Sequence, residues 1–284
     1  MARVILANVK LPIFSIKSPE AFQVMSALPI PQPSSLIGML AYCLGVVTGE
    51  GTKALKRVVD WVQNGKVLAA RSALLGSLPL SLSSTVLRRF RIVDKAHEKK
   101  TKLPKPIDRI SEALIKQDLS SVKKIFEIEL TDAFYREYVM GHELLCAWVL
   151  SDDVDIEAKW LMLANRIGDT ESLCTVTKVD EAEGDVYEDT NVKTKFPIVF
   201  ENVTSFKSKF HVTLKMCDEA RNLRIFIIPC ELKMKEINGK VASLIFPSEI
   251  EAKYNTPIKL VRVEKYDIVI PSVMLTSRIG WWSS

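Results

Sequence analysis

The stretch from Leu28 to Val47, LPIPQPSSLIGMLAYCLGVV, constrains the fold more than any other part of the chain. Three prolines at alternate positions (Pro29, Pro31, Pro33) fix their own φ and push each preceding residue out of the helical region, so the backbone there runs extended. Two serines follow. Ser34 or Ser35 is placed to cap a helix by accepting from its first free N–H groups. Beyond them Leu36, Leu40, Cys43, Leu44 and Val47 recur on one face of a 3.6-residue period. A stiff loop therefore feeds a capped helix with a buried stripe. The first turn of such a helix presents unpaired N–H donors and the positive end of the helix dipole, a seat for phosphate. Gly38 interrupts the helix at a cost of about 1 kcal/mol relative to alanine, which predicts a close approach at that point.

The chain has 284 residues, 48% hydrophobic and 26% charged, which suffices for one large core or two modest ones and excludes a disordered chain. A net charge of +5 permits an anionic partner without requiring one. The five cysteines (Cys43, Cys146, Cys174, Cys217, Cys230) are odd in number and show no Cys-x-x-Cys spacing. That pattern argues against a disulfide framework or a zinc site and predicts buried free thiols in a reducing cytosol. Asn8 and Lys10 break the N-terminal apolar run too early for a signal-peptide core. The longest apolar run, Leu36 to Val47, is too short to span a bilayer. The expectation is a soluble cytoplasmic protein with no membrane partner, cofactor or metal.

Along the chain, residues 3–16 read as an inner strand, apolar on both faces. Thr52 to Gln63 reads as a second helix with Leu55, Val58, Val59 and Val62 inward, ended by Asn64-Gly65. Lys66 to Leu75 reads as a strand whose interior Arg71 needs a partner or an anion. From Arg88 to Lys105 eight Lys/Arg face two acids, a local excess of six charges that exceeds the +5 of the whole chain. The basic charge is therefore local. Arg88, Arg89, Arg91, Lys95, Lys99, Lys100 and Lys102 suit a phosphate-gripping protrusion, and a short helix follows at roughly 108–117. Residues 134–149 read as a hairpin turning at Gly141-His142, and Val154 to Arg166 as an amphipathic helix. A turn through 167–172 leads into a strand from Leu173. Asp180 to Asp189 holds six acids and no base, which suggests an exposed loop turned away from any anionic partner. The last third is strand-rich. Asn238-Gly239 joins two strands as a hairpin, Lys259 to Ile270 forms another strand, and Trp281 and Trp282 lie near the C-terminus.

The Pro-rich loop, Pro-Ser-Ser and Leu-Ile-Gly-Met-Leu-Ala-Tyr-Cys-Leu-Gly, in that order, resemble the signature of the Cas-five family of CRISPR-associated proteins. Arg136-Glu137-Tyr138 on a strand and Gly168-x-x-Glu171 before a strand are similar to family segments in the same order, so the resemblance spans about residues 1–180. The order of elements fits a βαββαβ palm, and the resemblance implies the same: an α+β, ferredoxin-like palm related to RNA-recognition modules, with an inserted basic β-hairpin thumb. The palm would occupy 1–196 with the thumb at about 76–130, and 197–284 would form a strand-rich C-terminal region.

The aromatic motifs that stack bases in ordinary RNA-recognition modules are missing, so RNA contact is expected at the loop–helix junction and the thumb. The resemblance implies a noncatalytic subunit of a type I Cascade effector, with I-A the expected branch. It would cap the 5′ handle of the guide RNA (crRNA) in antiviral defence. Gln32, Ser34 and Ser35 would bind handle phosphates, while Arg71 and the basic thumb hold the sugar-phosphate chain. Its partners would be the repeating backbone subunit, the large subunit and, indirectly, target DNA. Two other readings stand beside it. One family branch cleaves guide precursors with a tyrosine, histidine and lysine, and a metal-independent endoribonuclease would use His97 here. A protein-only scaffold would leave the basic run as a solvated loop.

Overall fold

The computed structural model describes residues 1–20, 26–76, 78–79, 83–90, 104, 106–129, 131–168, 172–237 and 240–272. In chain order its first elements are β1 (Ala2–Phe14), β2 (Ile16–Lys17), β3 (Ala27–Leu28), α1 (Pro33–Thr48), α2 (Thr52–Gln63), β4 (Val67–Leu74), β5 (Leu78–Pro79) and β6 (Ser83–Phe90). Then come α3 (Pro106–Ile115), α4 (Leu119–Lys124), a π turn (Ile125–Glu129), β7 (Thr131–Leu150), a 3-10 helix (Ala158–Leu163) and β8 (Leu173–Thr194). The rest is strand: β9 (Ile198–Val199), β10 (Val203–Ser208), β11 (Phe210–Cys217), β12 (Leu223–Ile237), β13 (Lys240–Pro247), β14 (Ile250–Val263) and, after a 3-10 turn at Glu264–Tyr266, β15 (Ile268–Pro271). The described residues of 84–137 form one compact unit; those of 1–21, 26–83 and 138–284 form the other.

The larger unit is built on an antiparallel sheet in the order β8-β1-β7-β4. β1 and β4, joined through α1 and α2, run parallel with β7 between them. β7 and β8, joined through the 3-10 helix, run parallel with β1 between them. Two strand–crossover–strand units are thus interleaved, a mixed α+β architecture of ferredoxin-like type. β1 is inner as its sequence predicts. Ile5, Val9 and Leu11 face a core shared with α1, α2, Val154, Ile156 and Leu161. Ala2, Val4 and Leu6 face a second core with Phe196, Val261, Val263, Ile268 and Ile270. β8 links the two layers: Leu173 to Gly184 pair with β1, and Asp185 to Thr194 pair with β14. A second sheet runs β11-β12-β13-β5, with β9 also on β12. β12 and β13 pair as the predicted hairpin down to Ile237 opposite Lys240, while Asn238-Gly239 themselves lie outside the described residues.

Several expectations are corrected. The hairpin expected at 134–149 is one continuous strand, β7, because β1 supplies a partner on both sides of Gly141, with Leu11 opposite His142 and Ile13 opposite Met140. Gly141 takes φ 75° where Pro12, with no N–H to give, interrupts the ladder. The helix expected at 154–166 is extended chain and a 3-10 helix, with Val154 and Ile156 buried two residues apart rather than at helical spacing. The acidic loop is the middle of β8. Its backbone groups pair with β1 and β14, while Glu183, Asp185 and Glu188 are exposed and Glu181 pairs with Arg3 on β1. The strand expected at 259–270 is split by the turn at Glu264–Tyr266 and Asp267, at φ 48°. In α2 the buried set is Ala54, Val58, Trp61 and Val62, so Leu55 and Val59 are turned off the core.

The smaller unit holds β6 from Ser84, the start of β7 through Glu137, and a helical segment in which Ile110 and Ile125 pack with Val122 and Phe126. Asp118 caps α4 by accepting from the Ser121 N–H at 3.1 Å. The basic residues from Arg91 to Lys102 that were expected to form the thumb hairpin lie outside the described residues. All five cysteines are free thiols, and all but Cys217 are buried. Burial pushes the Cys43 thiol up to about 12 and those of Cys174 and Cys230 to about 11.

Candidate nucleic-acid interface

The Pro-rich loop and the start of α1 form the junction to which the sequence assigned phosphate binding. α1 begins at Pro33, with Gln32 in extended conformation before it and no side-chain cap. Neither serine caps the helix. Proline at the first helical position sets φ for the turn and lacks the N–H that would otherwise need a partner. The Gln32 carbonyl accepts from the N–H of Ser35 at 2.9 Å and of Leu36 at 3.4 Å. The Ser34 N–H is then the first-turn donor left without a partner among the described residues. No acid stands in this turn, so the positive end of the helix dipole is uncompensated locally.

Three bonds fasten the junction to distant strands. Ser72 Oγ on β4 donates to the Pro31 carbonyl at 3.1 Å. The Cys217 N–H at the end of β11 donates to Gln32 Oε1 at 3.0 Å. Trp148 Nε1 on β7 donates to the Leu36 carbonyl at 3.1 Å. Gln32 Oε1 is thus already engaged within the protein, and Ser35 is buried. Through the first three turns of α1 the only positions not buried are Ser34, Gly38 and Tyr42, at i, i+4 and i+8 on one face. The close approach expected at Gly38 is absent: a Cβ there would meet nothing within 4 Å. The approach is made instead at Gly45, where a Cβ would lie 3.3 Å from that of Ala54 on α2.

Arg71, expected to hold the RNA chain, is 1% exposed. Its guanidinium is ion-paired with Glu219, which also accepts from the Ala70 N–H at 2.7 Å, and it stacks 5.5 Å above the Phe226 ring. Of the two roles its position allowed, a partner rather than an anion fills it. Arg88 and Arg89 are on β6, but their side chains lie outside the described residues, as do Arg91, Lys95, Lys99, Lys100, Lys102, His97, Trp281 and Trp282. The structure therefore brings together Gln32, Ser34 and Ser35 at one junction and withdraws Arg71 into the interior. It adds Tyr42, which a helical wheel drawn from Ser34 and Gly38 would have singled out. It also adds Glu219, for which no local pattern gives a signal. Among the described residues no group of His, Cys, Asp or Glu is arranged to hold a metal ion, and no helix is long and apolar enough to cross a membrane.

No family model matches the chain. The chain is 30% identical over 182 residues to the CRISPR-associated protein Cas5 of Thermoproteus tenax, a match covering 63% of this chain and 66% of that protein. The match thus spans just under two thirds of its curated relative. The fold is similar to that of a CRISPR protein from Archaeoglobus fulgidus, with a TM-score of 0.57 over 95% of this chain and 99% of that one. At 15% identity this second likeness speaks for the fold alone. By sequence the chain is similar to a Cas5 CRISPR-associated protein, and by fold it is similar to a CRISPR protein.

Proposed function

We propose that this chain is a noncatalytic subunit of a type I CRISPR ribonucleoprotein that binds and caps the 5′ handle of the crRNA. One side would meet the repeating backbone subunit and the other the large subunit, with target DNA reached indirectly. The observation that carries the reading is the Pro31–Leu36 junction, fastened at three points and open along Ser34, Gly38 and Tyr42. A preorganised site loses little freedom on binding. The bare backbone at Gly38 admits a sugar-phosphate chain close to the helix. Ser34 offers an N–H and a hydroxyl to a phosphate, and Tyr42 offers a ring to a splayed base. Gln32, Ser35 and Arg71 then position the site. Arg88, Arg89, Arg91, Lys95, Lys99, Lys100 and Lys102 would follow the backbone electrostatically. Similarity to a CRISPR-associated protein Cas5 supports the assignment.

The test is anisotropy with a labelled repeat RNA carrying its 5′ handle, over a salt series without metal. Gly38→Ala is the informative variant. Alanine favours the helix by about 1 kcal/mol, and the space around Gly38 is open. The variant is expected to melt about 2–4 °C higher yet bind the RNA several-fold more weakly. Unchanged affinity would remove α1 from the interface. Arg88→Ala/Arg89→Ala should flatten the log–log salt slope by about 1.4, the loss of two single-strand phosphate contacts. Cleavage of the RNA that disappears in His97→Ala would instead make the protein the endoribonuclease.

A further inference from the structure

Away from α1, the sheet of β8, β14 and β10 carries a groove of about 550 Å³ lined by Asn191, Lys193, Ser205, Lys207, Glu251 and Lys253. Strand register puts these side chains on one face. Ala252 lies opposite Val192 and Phe206, so Lys193, Glu251 and Lys207 form one row across the three strands. Asn191, Lys253 and Ser205 form the next. All six are exposed, while Val192 and Ala252 between the rows are buried. Residues directly opposite lie about 5 Å apart and diagonal ones about 7–8 Å, so three flexible ammonium groups reach one groove. Lys193 stands 3.7 Å from both Glu249 and Glu251. Among the described residues Lys207 and Lys253 have no ion-pair partner. Register sets Lys207 opposite Glu251 and diagonal to Lys253, so the two ammonium groups reach the groove from adjacent strands on either side of one carboxylate.

We infer that this groove binds the phosphodiester backbone of a single-stranded nucleic acid, as a second site beside the α1 junction. Lysines act as point charges without the fork that reads one particular group, which suits contact to the backbone rather than to bases. Asn191 and Ser205 add neutral donors for the non-bridging oxygens. The groove supplies three cations against the single lining carboxylate of Glu251, with neutral donors, rather than the exposed apolar anchor on which protein interfaces rely.

The experiment uses the full chain and fluorescently labelled oligouridylate and oligothymidylate, read by anisotropy at several salt concentrations. Wild type is compared with Lys207→Glu/Lys253→Glu and the milder Lys207→Gln/Lys253→Gln, each checked by circular dichroism and thermal melting. Both pairs are also placed in the Arg88→Ala/Arg89→Ala background. The groove predicts weaker binding in both pairs, most in the glutamate pair, and a slope shallower by about 1.4 in the glutamine pair. It also predicts that the loss persists in the arginine-substituted background, because independent sites add. Equal affinity or slope in the folded variants, or no binding by wild type, overturns the proposal. So does polyglutamate competing as well as the oligonucleotide, which would make the face a general anion binder.

Discussion

Arg71 and Glu219 show how one residue can carry a sheet edge. β4 ends the sheet in the order β8-β1-β7-β4, and an uncovered edge is an invitation to foreign strands. Glu219, from the turn between β11 and β12, takes the Ala70 N–H and the Arg71 guanidinium together. Both side chains are almost fully buried. Removing one partner strands the other charge in a low-dielectric interior, at a cost of about 3–5 kcal/mol. Glu219→Ala is therefore expected to unfold at markedly lower denaturant concentration. Arg71→Met/Glu219→Leu should recover much of that loss, since apolar replacement of a whole buried pair is often neutral or better. Chemical denaturation of the single and double variants measures this directly. An Arg71 serving RNA instead would leave stability nearly unchanged in the singles and abolish binding in the double. The sequence raised the need for a partner at Arg71 but had no means of naming it, because Glu219 lies 148 positions away.

At the scale of elements, β8 is the informative case. It passes from the sheet of β1 to the pairing with β14 at Gly184, where a Cβ would fall 2.5 Å from Val261 Cγ1 and 2.9 Å from Val4 Cγ2. Gly184→Ala should therefore lower the melting temperature, and Gly184→Val more so, because both apolar layers must part to admit the added carbons. A thermal melt of the two variants tests the ordering. β1, α2, β4, β11 and the β12–β13 hairpin were legible because their periodicity and turn residues are local and uncontested. β7 and β8 were not. Gly141-His142 and the acidic run are sound local signals for a turn and a loop, yet backbone pairing with β1 overrode both. The acids of β8 cost little there because their side chains reach water. The candidate site was legible in residue type, Pro-Gln-Pro-Ser-Ser before a helix. The identity of its fastenings was not, because Cys217 and Trp148 reach it from far along the chain.

At the scale of the molecule, one face of β1 is covered by α1 and α2, which follow it closely, and the other by segments synthesised much later. β8 and β14–β15 supply the layer against Val4 and Leu6. A fragment ending at residue 196 would keep β1, α1 and β8 but lose Val261, Val263, Ile268 and Ile270. It is expected to be insoluble or to bind a hydrophobic dye strongly, as the full chain should not. A soluble, cooperatively melting fragment would mark 1–196 as an independent domain. The same layering has a consequence for biosynthesis. β1 leaves the ribosome well before its last cover, β15. At about 5–20 residues per second, the interval is roughly 13–50 s. Throughout it, a strand apolar on both sides waits without its final cover. The nascent chain must be shielded until β15 has emerged, so its yield in a cell depends on elongation speed and chaperone supply as much as on the stability of the finished fold.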